Sequence, residues 1–331
     1  YVRQAVALGM HRSKDCLVRT VEDTNDRIKG PATEIALRGS DAEHEVLKQR
    51  LAAFRNACEA LEQTAESNSL TDTRNRWLSM RRAARDIVLC TPDIDFDDIL
   101  FATRHAAHDG PNITAGAKSY IFKPGGDLLV KSGFDPGDPT RPLLKDRLGP
   151  GHMRGMELSW DADRLVFGYT RQPRYFEETM DESDQGFDDK THGLSEPMHI
   201  FELGLDSSDL RQITNHPFKS DAEPTWLPNG DIVFVSDRSN FASQCSGNFL
   251  QNKKIVNLYR CDPDGSNIRP LSNNKDFDRY PHVLANGQLI FTRWEYQERH
   301  LYQTHNLWTS RPDGSMSDAI YKQHINSAPM A

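Results

Sequence analysis

The feature that most constrains this chain is a strand–turn–strand pattern that occurs three times after residue 150. Each copy has a short first strand of mixed polar and apolar residues, a polar turn and an apolar run that ends in phenylalanine. The copies span residues 157–167, 223–234 and 280–291. Two of the turns contain Asn229-Gly230 and Asn286-Gly287, and such pairs favour two-residue hairpins because both residues tolerate a positive φ angle. Each copy is therefore predicted to be a β-hairpin.

A second hairpin is predicted after each of the first ones. In every copy an aspartate lies six residues after an apolar strand residue, and these aspartates are Asp206, Asp264 and Asp313. The repeat is thus four strands in two hairpins. Successive repeats lie 67 and 57 residues apart, measured at the terminal phenylalanine.

Four antiparallel strands per repeat are typical of a β-propeller blade, in which stacked blades bury apolar surface that one small sheet leaves exposed. A β-sandwich is the alternative, but a sandwich gives no reason for one pattern to recur in the same register. Residues 126–145 resemble the outer part of a preceding blade. We therefore predict a mainly β fold, a partial β-propeller with about three to four four-stranded blades. Closed propellers usually contain more, so we expect this one to be truncated.

The region before the repeats is predicted to form an α-helical hairpin. Ser40 and Glu43 match a capping box, which places a helix start there. Apolar residues recur every three or four positions to about residue 66, and a second helix runs from about residue 71 to before Pro92. Cys58 and Cys90 fall on apolar helix positions and are interpreted as buried small residues. The predicted domains are a helical region, 1–110, and the propeller, 111–331.

Composition excludes two classes of partner. The chain has 331 residues, with 40 Lys and Arg against 48 Asp and Glu, and a formal charge of −8. This acidic balance, without a long basic run, argues against nucleic acid as a partner. No apolar run approaches the ~18–20 residues of a membrane helix, so no membrane span is expected.

The repeats differ in length mainly at one place, between the first and second hairpins. The insertions there are residues 171–198, 239–256 and 295–305. Because connections at the same phase of successive blades emerge on one face, these loops should crowd together, and loops on a rigid scaffold often carry function. The candidate residues on this rim are Cys245, His192, Tyr296, His300 and His305.

Cys245 is a candidate metal ligand or nucleophile, since a nearby cation or metal would lower the pKa of its thiol. The alternative is a loop thiol packed against a neighbour. The rim histidines are either a metal cluster or ordinary surface residues, because no two have the close spacing of a preformed site. The sequence has no Gly-x-Ser-x-Gly elbow, phosphate-binding glycine loop or C-x-x-C pair, so no cofactor is evident in this chain.

Two groups of motifs resemble known families. The sequence resembles the TolB-like, WD-repeat-related propellers at residues 223–230, 234–238 and 257–266. It also resembles proteins that contain a region similar to the middle domain of the hydrazine synthase α subunit. The residues that carry this second resemblance are 76–82, 95–101, 291–296 and 305–308. This resemblance implies a six- or seven-bladed propeller in an exported multidomain bacterial protein, periplasmic or secreted. It also implies that Cys245 lies in a loop where the family tends to carry a cysteine.

The synthase subunit binds c-type haem through C-x-x-C-H motifs, and none occurs in these 331 residues, so synthase activity is not carried over. We expect a binding or docking scaffold that holds a protein partner or small ligand at the propeller face. The alternative is a subunit of a hydrazine-synthase-like redox complex whose metal or c-type haem is supplied by a missing segment. A third class, the propeller cap of a serine peptidase, would need a hydrolase domain that this sequence lacks.

Overall fold

The computed structural model describes residues 14–66, 69–91, 94, 96–103, 125–171, 197–239, 241, 255–295 and 305–321. The chain divides into two compact units, Tyr1–Asp97 and Asp98–Ala331. This division falls earlier than the predicted boundary after residue 110. The reason is that Asp98–Ala102 forms a strand that pairs with Leu128–Ser132, so it belongs to the β-rich unit.

The helical unit contains three helices within its described residues: α1 (Lys14–Arg38), α2 (Asp41–Glu62) and α3 (Leu70–Val88). A short 3₁₀ turn, Gln63–Glu66, follows α2. The prediction of α2 and α3 is confirmed, but α1 was not predicted. Its sequence carries Gly30 and Pro31 in the middle, and both residue types disfavour a helix interior. Packing outweighs that cost, because Ile28 and Ile35 on either side of the pair join the helical core.

Capping side chains set where α2 and α3 begin. The Ser40 hydroxyl accepts a hydrogen bond from the Glu43 backbone N–H at 3.4 Å, and the Glu43 carboxylate accepts one from the Ser40 N–H at 2.6 Å. This is the predicted capping box. Ser69 caps α3 in the same way, accepting from the Asp72 N–H at 3.2 Å. Each cap satisfies backbone donors that lack a partner inside the helix.

The second unit contains four antiparallel sheets among its described residues, each built from strands adjacent in sequence. Sheet 1 contains β1 (Asp98–Ala102), β2 (Leu128–Ser132) and β3 (Thr140–Pro142). Sheet 2 contains β4 (His152–Leu158), β5 (Arg164–Thr170), β6 (His199–Gly204) and β7 (Arg211–Gln212). Sheet 3 contains β8 (Asp221–Trp226), β9 (Ile232–Ser236), β10 (Asn257–Cys261) and β11 (Arg269–Pro270). Sheet 4 contains β12 (Asp278–Val283), β13 (Leu289–Trp294), β14 (His305–Ser310) and β15 (Asp318–Tyr321).

Strand register shows that sheet 1 is a further copy of the repeat. Phe101 pairs with Leu129 as Phe167 pairs with Phe201 and as Phe234 pairs with Tyr259. Strands β1, β2 and β3 therefore correspond to the second, third and fourth strands of the other sheets. The chain is thus mainly β, a helical region followed by a partial β-propeller of four consecutive blades. The sequence analysis found only the outer part of the first blade.

The first strand of sheets 2, 3 and 4 carries a β-bulge at the same place. The bulged residues have positive φ angles: Gly155 at 69°, Glu223 at 52° and Tyr280 at 52°. The predicted start of the first copy, residue 157, was therefore wrong by two residues, because Gly155 is the residue equivalent to Glu223. The cause is a longer turn in sheet 2, where Leu158 pairs with Leu165, whereas in sheet 3 Trp226 pairs with Ile232.

Successive sheets stack face to face through apolar residues that alternate along the second strand. In sheet 3, Phe234 packs in the core shared with sheet 2, and the adjacent Val233 packs in the core shared with sheet 4. In sheet 2, Phe167 likewise packs in the core shared with sheet 1, and the adjacent Val166 packs in the core shared with sheet 3. Side chains on a strand alternate between its two faces, so one strand seals both junctions of its sheet.

An arginine at the outer part of sheets 1, 2 and 3 contacts a turn of the following sheet. Arg141, Arg211 and Arg260 donate hydrogen bonds to the carbonyl oxygens of Leu205, Pro263 and Pro312, at 2.9, 3.1 and 3.0 Å. The turns themselves lie close to the preceding sheet. Gly265, at φ 86°, leaves no room for a Cβ atom beside the Ile213 carbonyl. These contacts recur at all three junctions between the described sheets.

Candidate functional site

The predicted insertions leave the sheets at one phase, between the second and third strands of sheets 2, 3 and 4. Residues 103–127 join the corresponding strands, β1 and β2, of sheet 1. In antiparallel sheets this phase places the ends of all four connections at the same edge of the sheets. The ends of the predicted loops therefore come together, at the edge we call the insertion face.

The predicted site residues themselves are not part of the described structure. His192, Cys245, Tyr296 and His300 lie outside the described residues. His305 begins β14, where its backbone pairs with Trp294, but its side chain is not described. The metal and rim assignments of these residues stay predictions.

A group of titratable residues lies where two insertions join the sheets. We call this group the insertion base: His199, His216, Asp221, Asp237 and Arg238. His199 directly follows the first insertion, and Arg238 directly precedes the second. Asp221 begins β8, and its backbone N–H donates to the Met198 carbonyl at 2.8 Å. Strand ends from sheets 2 and 3 thus meet here.

A buried ion pair holds the insertion base. Arg238 Nη2 donates to Asp221 Oδ2 at 2.7 Å, and Asp221 is fully buried. Burial raises the pKa of Asp221 to about 6, and this effect outweighs the opposing effects of Arg238 and of the Ser236 and Thr214 hydroxyls. A second buried carboxylate, Asp237, accepts from the Ser220 N–H at 3.1 Å. Two carboxylates and one guanidinium therefore share this edge of the sheets.

The histidines of the insertion base are neutral at pH 7. Burial, together with Arg238 and His216, lowers the pKa of His199 to about 4. Burial, Arg238 and Lys219 also lower the pKa of His216. The buried Nδ1 atom of His199 has no hydrogen-bond partner in the described part of the chain. Perturbed titratable groups that cluster in one place mark candidate functional sites, although ion-pair networks produce such shifts as well.

Sheet 4 repeats the ion pair at its own strand ends. Arg293 donates to both carboxylate oxygens of Asp278, at 2.8 and 2.9 Å, and its guanidinium lies 4.5 Å from the centre of the Trp308 ring. Asn274 donates to Asp278 at 3.1 Å and to the Trp294 carbonyl at 3.0 Å. Because these groups are buried and mutually bonded, they hold the strand ends rather than offer open coordination sites. Among the described residues, no group of three or more His, Cys, Asp or Glu side chains is placed to hold a metal ion.

The cysteines whose side chains are described, Cys58, Cys90 and Cys261, are free thiols with raised pKa values. Burial raises the pKa of Cys58 to about 11 and that of Cys261 to about 12, and it also raises the pKa of Cys90. A thiol with such a pKa is protonated at pH 7 and is a poor nucleophile or metal ligand. The structural interpretation of Cys58 and Cys90 is in line with these values, with Cys58 buried and Cys90 half-buried.

A second charged cluster lies on the first strands of sheets 2, 3 and 4, and we call it the Glu223 cluster. Glu223 Oε1 accepts from Arg154 and from Arg279, each at 2.9 Å, and Oε2 accepts from the Tyr280 N–H at 3.0 Å. Burial raises the pKa of Glu223, but Arg279 and Arg154 outweigh that effect and hold the pKa at about 2. The carboxylate is 3% exposed and links three sheets. The role of Glu223 was not predicted from the sequence, because its arginine partners lie 69 and 56 residues away along the chain.

We expect opposite pH responses from Asp221 and His199. The pKa of Asp221 is raised from its ordinary value near 3.8 to about 6, so folding is favoured as pH falls through 6. The pKa of His199 is lowered from 6.5 to about 4, so stability is lost as pH falls from 6.5 towards 4.

Relative to the native chain, Asp221→Asn should therefore lose stability on acidification from pH 7 to 4.5, on the order of 1–3 kcal/mol. His199→Gln should gain stability over the same range. Urea denaturation of the native chain and the two variants at several pH values measures how the free energy of unfolding depends on pH. The same pH dependence in all three proteins would contradict the roles assigned to Asp221 and His199.

Within the described residues, no helix is both long and apolar enough to cross a membrane.

Comparison with known proteins yields structural neighbours only. No family model matches the chain, and no curated protein matches it. Hydrazine synthase from Kuenenia stuttgartiensis is 14% identical over 68% of this chain and 32% of its own, with a TM-score of 0.49. A putative TolB from Agrobacterium tumefaciens is 15% identical over 59% of this chain and 56% of its own, with a TM-score of 0.40. A puromycin-hydrolyzing peptidase from Mycobacterium tuberculosis is 13% identical over 70% of this chain and 29% of its own, with a TM-score of 0.40.

The chain spans about a third of the length of the hydrazine synthase chain that it matches. Both groups of proteins that the sequence motifs resemble, TolB and hydrazine synthase, are thus found among the structural neighbours, at low identity.

Proposed function

We propose that this protein is a binding scaffold whose insertion face holds a protein partner or a small ligand. One observation carries the proposal: the long connections of successive sheets leave at the same phase, so their ends share one edge of a rigid sheet stack. Loops mounted on such a scaffold are the usual carriers of binding.

The insertion base supports this proposal because it fixes the loop ends. The Asp221–Arg238 and Asp278–Arg293 pairs lie at the strand ends of sheets 3 and 4, and their arginines are only 15% exposed. A loop whose ends are held loses less conformational entropy when it binds, so the scaffold favours affinity.

Two exposed aromatic residues lie at the same edge. Phe218, 72% exposed, lies between β7 and β8, and Phe241, 49% exposed, follows β9. The Phe241 carbonyl accepts from the Ile255 N–H at 2.9 Å, so the two ends of the second insertion are joined there. Aromatic side chains are enriched at protein interfaces, which favours recognition at this edge.

The test compares the two edges of the sheets in the chain purified from its producing cells. In one variant, glycine–serine linkers of four residues replace residues 173–195 and 243–253. In the matched control, four residues of the same composition are inserted into the Asn229-Gly230 and Asn286-Gly287 turns, at the opposite edge. Native mass spectrometry then measures the bound protein or ligand. We expect the native chain and the control to keep the bound species and the insertion variant to lose it.

Loss from the control alone, or equal retention by all three proteins, would contradict the proposal. Thermal unfolding of each variant establishes beforehand that the sheets are intact.

We also propose that the protein acts outside the cytoplasm, in the periplasm or the medium. The motif resemblance to exported proteins supports this location. Fractionation of cells that express the intact gene tests it, and recovery in the cytoplasm would contradict it.

The metal-site hypothesis for Cys245 has its own test. The described residues supply no complete ligand set, so at least part of such a set would come from residues outside them. If Cys245 is a ligand, elemental analysis of the purified chain should find about one metal ion per chain. Cys245→Ser should lower this content at least about tenfold. Cys90→Ser is the matched control, because Cys90 is half-buried in the helical unit, and it should leave the content unchanged. A native chain without metal would refute the hypothesis.

A further inference from the structure

The connection between β7 and β8 joins the end of one insertion to the beginning of the next. Met198, the last residue of the first insertion, donates its backbone N–H to the Ser220 hydroxyl at 3.2 Å, and its carbonyl accepts from the Asp221 N–H at 2.8 Å. Toward the second insertion, the Ser220 N–H donates to the Asp237 carboxylate at 3.1 Å. Arg238, the residue before that insertion, donates to the Asp221 carboxylate at 2.7 Å. Ser220 and Asp221 therefore hold the ends of both insertions.

These contacts lie in the interior of the sheet stack. Met198 is 1% exposed, and Ser220, Asp221 and Asp237 are each 0% exposed. A buried polar group that loses its partner costs free energy, because no water replaces the lost hydrogen bond. If Met198 moves, the residues that lose partners are the same two that hold the second insertion.

Sheets 3 and 4 are joined in the same way. Asp278 has in sheet 4 the position that Asp221 has in sheet 3, two residues before the bulge, and it is also 0% exposed. Its N–H donates to the carbonyl of Val256, the last residue of the second insertion, at 3.1 Å. Its carboxylate accepts from Arg293, two residues before the third insertion, at 2.8 and 2.9 Å. The same link thus occurs at two successive junctions.

Sheet 2 differs at the corresponding position. The residue two positions before its bulge is Met153, which is apolar and supplies no carboxylate. The carboxylate link therefore distinguishes the two junctions between the three predicted insertions from the junction of sheets 1 and 2.

We propose that Asp221 and Asp278 are positioning residues that couple the insertions energetically. Asp221 couples the first insertion to the second, and Asp278 couples the second to the third. Ordering of one insertion then stabilises the end of its neighbour, which lowers the entropic cost of ordering that neighbour as well. The value of this coupling for recognition rests on the proposed binding function. The coupling itself belongs to the chain alone and is measured without a ligand, so the two proposals can fail separately.

Amide hydrogen exchange followed by mass spectrometry tests the coupling in the full chain. Arg238→Met removes the ion pair from the side of the second insertion. We expect the amides of residues 198–200, at the end of the first insertion, to exchange about 5- to 150-fold faster, the usual range for coupled sites. The matched control is Arg293→Met, which breaks the equivalent ion pair of sheet 4. It should speed exchange at residues 256–258 and leave residues 198–200 as in the native chain.

The reverse direction is tested by Ser220→Ala, since energetic coupling acts in both directions. This substitution removes the hydroxyl that accepts from Met198, but it keeps the Ser220 backbone contact with Asp237. The amides of residues 236–238, which precede the second insertion, should then exchange faster.

Arg238→Lys separates the effect of charge from that of packing. Lysine and methionine are similar in length, but only lysine keeps a positive charge beside Asp221. Arg238→Lys should therefore restore most of the protection that Arg238→Met removes at residues 198–200.

Three results would overturn the proposal. Arg238→Met could leave the exchange of residues 198–200 unchanged, which would show that the two insertions are held independently. It could speed exchange in β2 of sheet 1 as much as at residues 198–200, which would indicate a general loss of stability. Ser220→Ala could leave residues 236–238 unchanged. Circular dichroism establishes that each variant is folded, and Arg238→Gln replaces Arg238→Met if the latter is not.

Discussion

Replacing Glu223 with glutamine is expected to lower the free energy of unfolding by about 3–5 kcal/mol, the usual cost of breaking a buried ion pair by neutralising one partner. The carboxylate is 3% exposed and accepts from two arginines of neighbouring sheets. Glutamine keeps the shape of the side chain but leaves Arg154 and Arg279 with no opposing charge at that point. Their side chains are 16% and 12% exposed, so water compensates little.

Urea denaturation followed by far-UV circular dichroism measures this loss. The matched control is Glu157→Gln, which also neutralises a glutamate of a first strand. Glu157 is 31% exposed and pairs with His282, which is 60% exposed, at 3.3 Å. Exposed pairs of this kind contribute about 0–1 kcal/mol, so the control should change stability by no more than that. Equal effects of the two substitutions would refute the assigned role of the Glu223 cluster.

The same cluster predicts a response to acid. The pKa of Glu223 is held at about 2, below its ordinary value of 4.5, so its contribution is fully present above pH 4.5. It is lost progressively as pH falls from 4.5 towards 2. In Glu223→Gln this part of the acid response should disappear.

Replacing Phe234 with alanine is expected to cost about 3–5 kcal/mol, as for other large-to-small substitutions in a packed core. Phe234 is 0% exposed, its ring stacks on Tyr259 at 6.4 Å between centroids, and it fills the junction of sheets 2 and 3. The cavity would lie between two sheets whose backbones are held by hydrogen bonds, so it should collapse little.

Phe218→Ala is the matched control for this prediction. Phe218 is 72% exposed, and its loss should change the free energy of unfolding by within about 0.5 kcal/mol. The two variants are compared with the native chain by urea denaturation under one set of conditions. A cost below about 1 kcal/mol for Phe234→Ala would mean that the junction repacks and does not behave as a core.

The elements predicted from sequence are those whose signals are local. The capping box at Ser40 and the apolar spacing of α2 each act over a few residues, and both have their expected structure. The hairpin at Asn229 also forms, but of the two turn residues only Gly230 has a positive φ angle, 88°, so the turn is not the expected two-residue type. The helix α1 was missed because its central glycine and proline oppose the local pattern. Strand β1 was missed, although its residues 98–101, Asp-Ile-Leu-Phe, are similar to the Asp-Ile-Val-Phe of residues 231–234.

The candidate site was predictable only in outline. The common phase of the insertions can be recognised from the spacing of the repeats, and the structure places their ends at one edge. The insertion base was not predicted. Asp221 and Arg238 look like ordinary strand-end residues in the sequence, and nothing local indicates that one is fully buried and the other nearly so.

The blade pattern follows from turn residues and strand alternation, which act between neighbours in the chain and need no knowledge of the rest of the molecule. Whether a charged residue is buried, and which partner it pairs with, cannot be predicted from such local signals. Glu157 and Glu223 each begin a similar motif, yet Glu157 lies two residues after the bulge of its strand and is partly exposed. Glu223 lies at the bulge and is enclosed by arginines from two other sheets. Burial and charge pairing depend on which distant strands become neighbours, and that is decided when the sheets stack.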